Sequence, residues 1–317
     1  MQPPSKQQIE DAHERIAAFV HQTPIFTSNS LNEISGCNLF FKCENFQKVG
    51  AFKMRGATNT ILQLSDKEKS NGIVTHSSGN HAQAVAKAAS YAGCVAYIVM
   101  PNNAPKVKIS AVEQYGGKIT FCPPTLIDRE TTVENIIKTT NATFIHPYND
   151  ERIITGQATA AKELIEQAPG LDAIVCPVGG GGLLAGTILS ARYFGNNINV
   201  YAGEPEGAKD AFLSIKQAKL IPQLNPNTIA DGLLTSLGKL NFEIIKKGVK
   251  EIQLVNDKEI IGAMRLIWER LKIVVEPSAA VPLAAIIKNK NSFKNKSIGI
   301  ILSGGNVDLD HYFDSLG

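Results

Sequence analysis

The chain has 317 residues, a formal net charge of +3 and 44% hydrophobic residues, the profile of a soluble globular protein of one large domain or two medium ones. A charge this small and dispersed argues against a nucleic-acid groove or a membrane-binding face, and no apolar run approaches the ~18 residues that span a bilayer. The cysteines Cys37, Cys43, Cys94, Cys122 and Cys176 are widely spaced with no Cys-x-x-Cys pair, and the opening Met1-Gln2-Pro3-Pro4-Ser5-Lys6 has no apolar signal-peptide core, so reduced thiols, no zinc site and a cytoplasmic location are expected.

Strand–helix alternation dominates the chain. Gly72 to His76 reads as a strand, followed by the turn Ser77-Ser78-Gly79, where Gly79 permits a positive φ, and by a helix capped by Asn80 and running to Gly93. Cys94 to Met100 is a strand stopped by Pro101, and a helix from Pro105 to Tyr115 ends at Gly116-Gly117. Then come a strand at Lys118–Cys122, a helix near 128–139, a strand at 142–146 and a helix near 155–167. Ala173 to Val178 leads into four glycines, Gly179 to Gly182, then a helix to about Tyr193 and a strand at Ile198–Ala202. Ser297 to Leu302 is a last, continuously apolar strand. Such runs mark parallel strands buried on both faces, so the fold class is α/β with doubly wound open sheets.

Ligands of such sheets bind at the carboxyl ends of the strands. Ser78, Gly179 to Gly182, Glu204 and Ser303 each follow a predicted strand. Earlier stands a lone lysine in Gly50-Ala51-Phe52-Lys53-Met54-Arg55-Gly56-Ala57. Taken alone, Lys53 is an ordinary snorkelling residue and the glycine run an ordinary tight loop. Together they offer an amine for an imine, a polar loop for a small ligand and backbone donors for a phosphate, which suits pyridoxal 5′-phosphate. Gly180-Gly181-Gly182-Leu183-Leu184-Ala185 also satisfies the dinucleotide pattern, with Glu204 placed to hold a ribose hydroxyl, so an NAD-dependent dehydrogenase is a rival. That rival leaves Lys53 and Ser78–Asn80 unused.

Nearly the whole chain resembles the fold-type II pyridoxal-phosphate enzymes, and within them the serine racemase and serine/threonine dehydratase family, most of all its eukaryotic-type racemases. Phe40-Phe41-Lys42-Cys43-Glu44, the Lys53 box, the Ser78 loop, Thr155-Gly156-Gln157, the glycine run, Ile229-Ala230-Asp231-Gly232, Val275-Glu276-Pro277 and Ser303-Gly304-Gly305-Asn306-Val307-Asp308-Leu309 carry the resemblance. It implies two doubly wound domains of the tryptophan synthase β type: a large cofactor-binding one from 1–71 and 148–317, and a small mobile one from 72–147. It implies that Lys53 holds the cofactor and acts as base, that Phe52 packs near the ring, that Asn80 bonds the cofactor 3′-oxygen, that Gly179, Gly180, Gly181 and Gly182 hold the phosphate and that Ser303 faces the ring nitrogen. Ser77, Ser78, Gly79, Asn80 and His81 would clasp the substrate carboxylate, with Ser78 as the acid on the second face.

The resemblance further implies a divalent cation (Mg²⁺, or Ca²⁺ or Mn²⁺) on the Glu204 and Asp210 carboxylates and the Ala208 carbonyl. It implies a homodimer with an ATP site from Ser28, Lys48, Gln83, Lys108, Tyr115, Arg270, Lys272 and Asn306, although Val49 stands where animal racemases carry a hydroxyl. The expected reaction is serine racemisation with elimination of serine or threonine to a 2-oxo acid and ammonia. The alternative is chiefly a threonine/serine or threo-3-hydroxyaspartate dehydratase, with Arg129 meeting the extra carboxylate.

Overall fold

The structure, a computed structural model, describes residues 2–104 and 106–309. Ser5, Ser28, Ser65, Thr125, Asp150 and Asn256 each accept a backbone N–H from the helical turn that follows, which fixes where those helices begin. Before the first predicted strand the chain forms α1 (Lys6–Ile16), β1 (Ile25–Phe26), α2 (Asn29–Ser35), β2 (Asn38–Cys43), α3 (Lys53–Leu62) and α4 (Asp66–Asn71). Then β3 (Ile73–His76), α5 (Asn80–Ala92), β4 (Ala96–Pro101), α6 (Lys106–Gln114), β5 (Lys118–Cys122), α7 (Leu126–Thr140) and β6 (Thr143–Phe144) alternate. The second half runs through α8 (Glu151–Gln167), β7 (Ala173–Pro177), α9 (Gly182–Phe194), β8 (Asn199–Pro205), α10 (Asp210–Lys216), α11 (Lys239–Gly248), β9 (Val249–Val255), α12 (Asp257–Leu271), α13 (Pro277–Lys288) and β10 (Ser297–Leu302).

The strands make two sheets. One is four-stranded in the order β5-β4-β3-β6, parallel throughout. The other runs β1-β2-β10-β7-β8-β9 and is parallel except at its β1 edge. Each buries both faces. Ile298, Ile300 and Leu302 enter the core shared with α12 and α13, while Ile301 enters the core shared with α8 and α9, as the twofold side-chain period of a strand requires. The α/β doubly wound class expected from the apolar runs is the one that forms.

Several local expectations need correction. Asn80 is not the helix cap: Gly79 holds that position, with φ −131 rather than a positive value, and Asn80 is the first helical residue with its side chain drawn to a distant partner. Pro101 does not stop the strand before it but is the last residue of β4, paired with Cys122. β6 is shorter than the 142–146 expected, and Glu204 lies inside β8 rather than after it. The helix start at Pro105 lies outside the described residues, and α6 is described from Lys106.

Behind the start of α3 lies a buried ionic cluster. The Arg55 guanidinium is fully buried; it donates from Nε and Nη2 to Glu44 at 2.8 Å each and from Nη1 and Nη2 to Glu163 at 2.6 and 2.8 Å. Its Nη1 also reaches Thr159 Oγ1, and Lys42 Nζ donates to Glu163, Gln167 and the Thr23 carbonyl. Two cations face two anions with donors and acceptors used up, the condition under which buried charge is tolerated. The cluster joins α3 to β2 and α8 and so sets where Lys53 stands.

Candidate active site

The loop before α3 is zipped to the loop after β10. Phe52 N donates to the Ser303 carbonyl at 3.0 Å, Gly305 N to the Gly50 carbonyl at 2.9 Å, and Asn306 Nδ2 to the Val49 carbonyl at 2.7 Å. Gly50 has φ +68, and a Cβ there would stand 2.6 Å from Asn306 Oδ1, so the approach requires glycine. Val49 is left-handed too, at φ 56, a position β-branched residues rarely accept.

Lys53 begins α3, and its Nζ donates to the Pro147 carbonyl at 2.8 Å. Burial pushes this amine down to about 8, against the opposing pull of the Glu276 carboxylate. An amine so placed holds an appreciable neutral fraction near neutrality, the form that attacks carbonyls and takes protons. The Phe52 ring lies beside it, with its centroid 5.3 Å from Nζ.

Glu276 is the residue the sequence reading passed over. It caps α13 without a side-chain bond to it, is 3% exposed, and is pushed up to about 7, by burial first and the Asp231 charge second. Asn80 Nδ2 donates to both its oxygens, at 2.9 and 3.0 Å, and Asn306 Nδ2 donates to Asn80 Oδ1 at 2.8 Å. Asn80 is thus oriented by two partners from the far end of the chain, with one amide hydrogen left for a ligand. The signal was an acid directly before a proline at the start of an apolar helix.

The glycine loop joins β7 to α9. None of the backbone N–H groups from Gly179 to Leu184 donates to a protein acceptor among the described residues, so the loop offers the free donors of a helix start. The Gly180 carbonyl is held from behind by Gly238 N at 3.1 Å and Asn241 Nδ2 at 2.6 Å. A Cβ on Gly180 would stand 2.4 Å from the Tyr148 ring, and one on Gly179 would stand 2.9 Å from Leu233 Cα, so the cradle has room only for glycine.

Ser77, Ser78 and Gly79 form the turn between β3 and α5, where Gly79 N donates to Ser77 Oγ at 3.3 Å. Ser78 is half-buried and makes no hydrogen bond among the described residues. His81 is buried and held neutral by desolvation and by the nearby Lys53 charge; its Nδ1 has no partner, and its Nε2 lies 3.4 Å from the Ile145 carbonyl. His76 and His146, which sequence reasoning did not single out, lie near it. The same rule that flagged Ser78, a polar residue just past a strand, also fits His146. Arg129, at the start of α7, bonds the Pro124 carbonyl through Nη2, while its buried Nε has no partner; its charge, after burial, holds His76 below the usual histidine range.

The other expected sets lie elsewhere. Glu204, fully buried, accepts from Ala211 N and Phe212 N at 2.8 Å each and is pushed well above the usual carboxylate range by desolvation. With both oxygens committed to α10, it is not free for a ribose, and the dehydrogenase reading falls. Asp210 accepts from Leu237 N at 2.7 Å through Oδ2, its Oδ1 is buried without a partner, and burial pushes it up to about 6. Ala208 lies buried between the two. Of the nucleotide set, Ser28 caps α2 while Arg270 and Lys272 end α12, which packs on α2. Lys48 lies over the Tyr91 ring of α5, Gln83 is buried in α5, Tyr115 follows α6, Lys108 pairs with Asp231, and Asn306 is taken up by Val49 and Asn80.

Residues 16–304 match the family model described as "Pyridoxal-phosphate dependent enzyme". A β-hydroxyaspartate dehydratase of Paracoccus denitrificans is 50% identical over 307 residues, covering 97% of this chain and 98% of the relative. Among solved structures, maize serine racemase superposes with a TM-score of 0.97 at 44% identity over 99% of this chain and 97% of that one. The serine racemase of Dictyostelium discoideum gives 0.92 at 47% identity over 96% and 99%. A bacterial-type threonine deaminase, from the source abbreviated T.th., gives 0.92 at 38% identity over 96% and 99%. The cofactor-shaped cleft and the comparisons agree, and the chain belongs to the pyridoxal-phosphate-dependent enzymes, in the branch of serine racemases and hydroxy-amino-acid dehydratases.

Proposed function

We propose that the protein interconverts L- and D-serine and eliminates water from serine and threonine to give a 2-oxo acid and ammonia. The observation that carries this reading is a partly neutral amine, Lys53, held between a free-donor glycine loop and the start of a helix bearing Ser77 to His81. Pyridoxal 5′-phosphate, when bound, supplies an aldehyde that captures amines and a ring that draws electrons from the substrate α-carbon. The residues present fit it: unpaired N–H groups from Gly179 to Leu184 for the phosphate, the spare Asn80 hydrogen for the 3′-oxygen, and Ser303 for the ring nitrogen. Phe52 would flank the ring.

Ser77, Ser78, Gly79, Asn80 and His81 would hold the substrate carboxylate at the start of α5. Lys53 takes the α-proton on one face, and Ser78 gives one back on the other. When the β-hydroxyl leaves first, elimination follows. Residues 72–147 would close on 1–71 and 148–317; support comes from the Lys108–Asp231 ion pair, which ties α6 to the loop before α11.

Arg129 favours a second reading, dehydration of a 3-hydroxy dicarboxylic amino acid. Its partnerless buried Nε could meet a second carboxylate, and the 50% identical relative is named for β-hydroxyaspartate. The test is product analysis with L-serine and threo-3-hydroxyaspartate in parallel, scoring D-serine, pyruvate and oxaloacetate. Substitution Arg129→Met should lower use of the diacid relative to serine about tenfold, the worth of a charge-assisted bond. Oxaloacetate alone selects the second reading, and none of the three products sinks both.

The Glu204 and Asp210 carboxylates with the Ala208 carbonyl fit a divalent cation, Mg²⁺, Ca²⁺ or Mn²⁺; support comes from the partnerless Asp210 Oδ1 and the cost of burying two acids side by side. ATP as an activator, on Ser28, Lys48, Gln83, Lys108, Tyr115, Arg270, Lys272 and Asn306 of a homodimer, would have to draw Lys108 from Asp231. Activity against ATP concentration, with sedimentation for the dimer, tests both. No helix among the described residues is long and apolar enough to cross a membrane.

A further inference from the structure

The segment that carries the chain from β6 to α8 touches several parts of the site at once. The Pro147 carbonyl accepts from Lys53 Nζ at 2.8 Å. The Tyr148 ring lies on the glycine loop, close enough that a Cβ on Gly180 would come within 2.4 Å of it. The Tyr148 carbonyl accepts from Asn241 Nδ2 at 3.1 Å, and Asn149 Oδ1 accepts from Leu240 N at 2.9 Å, which ties the turn to α11.

One imidazole nitrogen closes this turn. His146 Nδ1 accepts the N–H groups of Tyr148, at 3.2 Å, and Asn149, at 2.9 Å. A side chain that accepts from residues two and three ahead does the work of an Asx turn, here performed by a histidine. Accepting twice requires the Nδ1 lone pair, so the ring proton sits on Nε2 and the ring is neutral. The Tyr148 ring packs edge-on against it, with centroids 4.7 Å apart.

We propose that His146 is a positioning residue: its Nδ1 shapes the turn whose backbone holds the Lys53 amine and whose aromatic ring roofs the glycine loop. The inference rests on Lys53 as the cofactor lysine. Any filler of similar volume would satisfy the packing, but only an acceptor at this point satisfies the two N–H groups.

The test compares cofactor-loaded proteins as purified, measuring the rate of pyridoxal phosphate release, kcat and KM for L-serine, and the urea midpoint. His146→Leu should release cofactor at least tenfold faster and lose at least tenfold in kcat, with KM within threefold. His146→Asn, whose Oδ1 can accept the same two N–H groups, should recover both to within threefold of the unsubstituted protein. Unchanged release and kcat in His146→Leu, or equal damage in the two variants, overturns the proposal. Should His146→Leu fail to fold, ¹⁵N spectra of the unsubstituted holoenzyme decide: Nδ1 must be unprotonated and Nε2 protonated at neutral pH, and the reverse tautomer overturns it. Lys53→Ala separates the underlying reading, because covalently bound cofactor surviving in that variant removes Lys53 as the cofactor lysine whatever His146 does.

Discussion

Replacing Arg55 by methionine keeps the side-chain volume and removes the charge. Glu44 and Glu163 each lose two charged hydrogen bonds, and two buried carboxylates are left with Lys42 as their one cation. Breaking a buried pair in this way costs about 3–5 kcal/mol. At a urea m-value of about 3 kcal/mol/M, the unfolding midpoint at pH 7.5 should fall by about 1–1.7 M. The pH dependence gives a second reading. Burial pushes the Glu163 carboxyl up, but Arg55 and Lys42 carry it net below the usual 4.5. A carboxyl lowered on folding stabilises above its unfolded value and loses that stabilisation as pH falls through the folded one. Without Arg55 the lowering goes, so the gap between variant and unsubstituted protein should narrow as pH drops from 7.5 toward 4.5. Urea melts followed by circular dichroism at several pH values measure this. A loss under about 1 kcal/mol, or a gap that widens on acidification, would refute the reasoning.

Lys53→Ala should abolish racemisation and elimination together, because covalent capture and base are one group; a variant with substantial turnover contradicts the assignment. Ser78→Ala should still eliminate L-serine to pyruvate, while formation and use of D-serine collapse. Equal loss from both enantiomers would leave Ser78 with substrate positioning only. Gly180→Ala should weaken pyridoxal phosphate binding at least tenfold by driving a Cβ into the Tyr148 ring, as read by absorbance titration of stripped protein. Chelation of divalent cations, or Asp210→Ala, should lower the melting temperature by several degrees, and a stripped protein that melts unchanged argues against the cation site.

The sequence exposed the parallel strands well, because strands buried on both faces must be apolar throughout: Ile73–His76, Ala173–Pro177 and Ser297–Leu302 all stand within a residue of expectation. Asn80 shows the limit. Its residue type argues for a local cap, but the partner that wins, Glu276, lies 196 positions away, and no local rule sees a bond at that separation. The cofactor lysine and glycine loop were legible because their chemistry is local. His146 and Pro147 were not, since one acts through a ring nitrogen in a turn and the other through a carbonyl that carries no side-chain information. Glu276 was quoted for likeness without a role, because burial, which gives it one, appears only when the sheets assemble. The first 71 residues and most of 203–296 gave no predicted elements, since α12 and its neighbours are amphipathic and lack the long apolar runs that made the strands plain.

The last strand of the large sheet lies in its middle. β10 pairs on one side with β2 and on the other with β7. The first-made strands therefore have no neighbour to join until nearly the whole chain exists, and the closing contact spans most of its length. Folds dominated by such distant pairings form slowly, and their incomplete sheets expose strand edges while they wait. The site inherits this order. Lys53 is made early, but its loop is stitched to the Ser303–Asn306 segment, so a chain emerging from the ribosome carries its reactive amine long before it can build the pocket around it. Cofactor capture is thus a late event in the life of each molecule, and a chain cut short before Ser297 should have no means of reaching it.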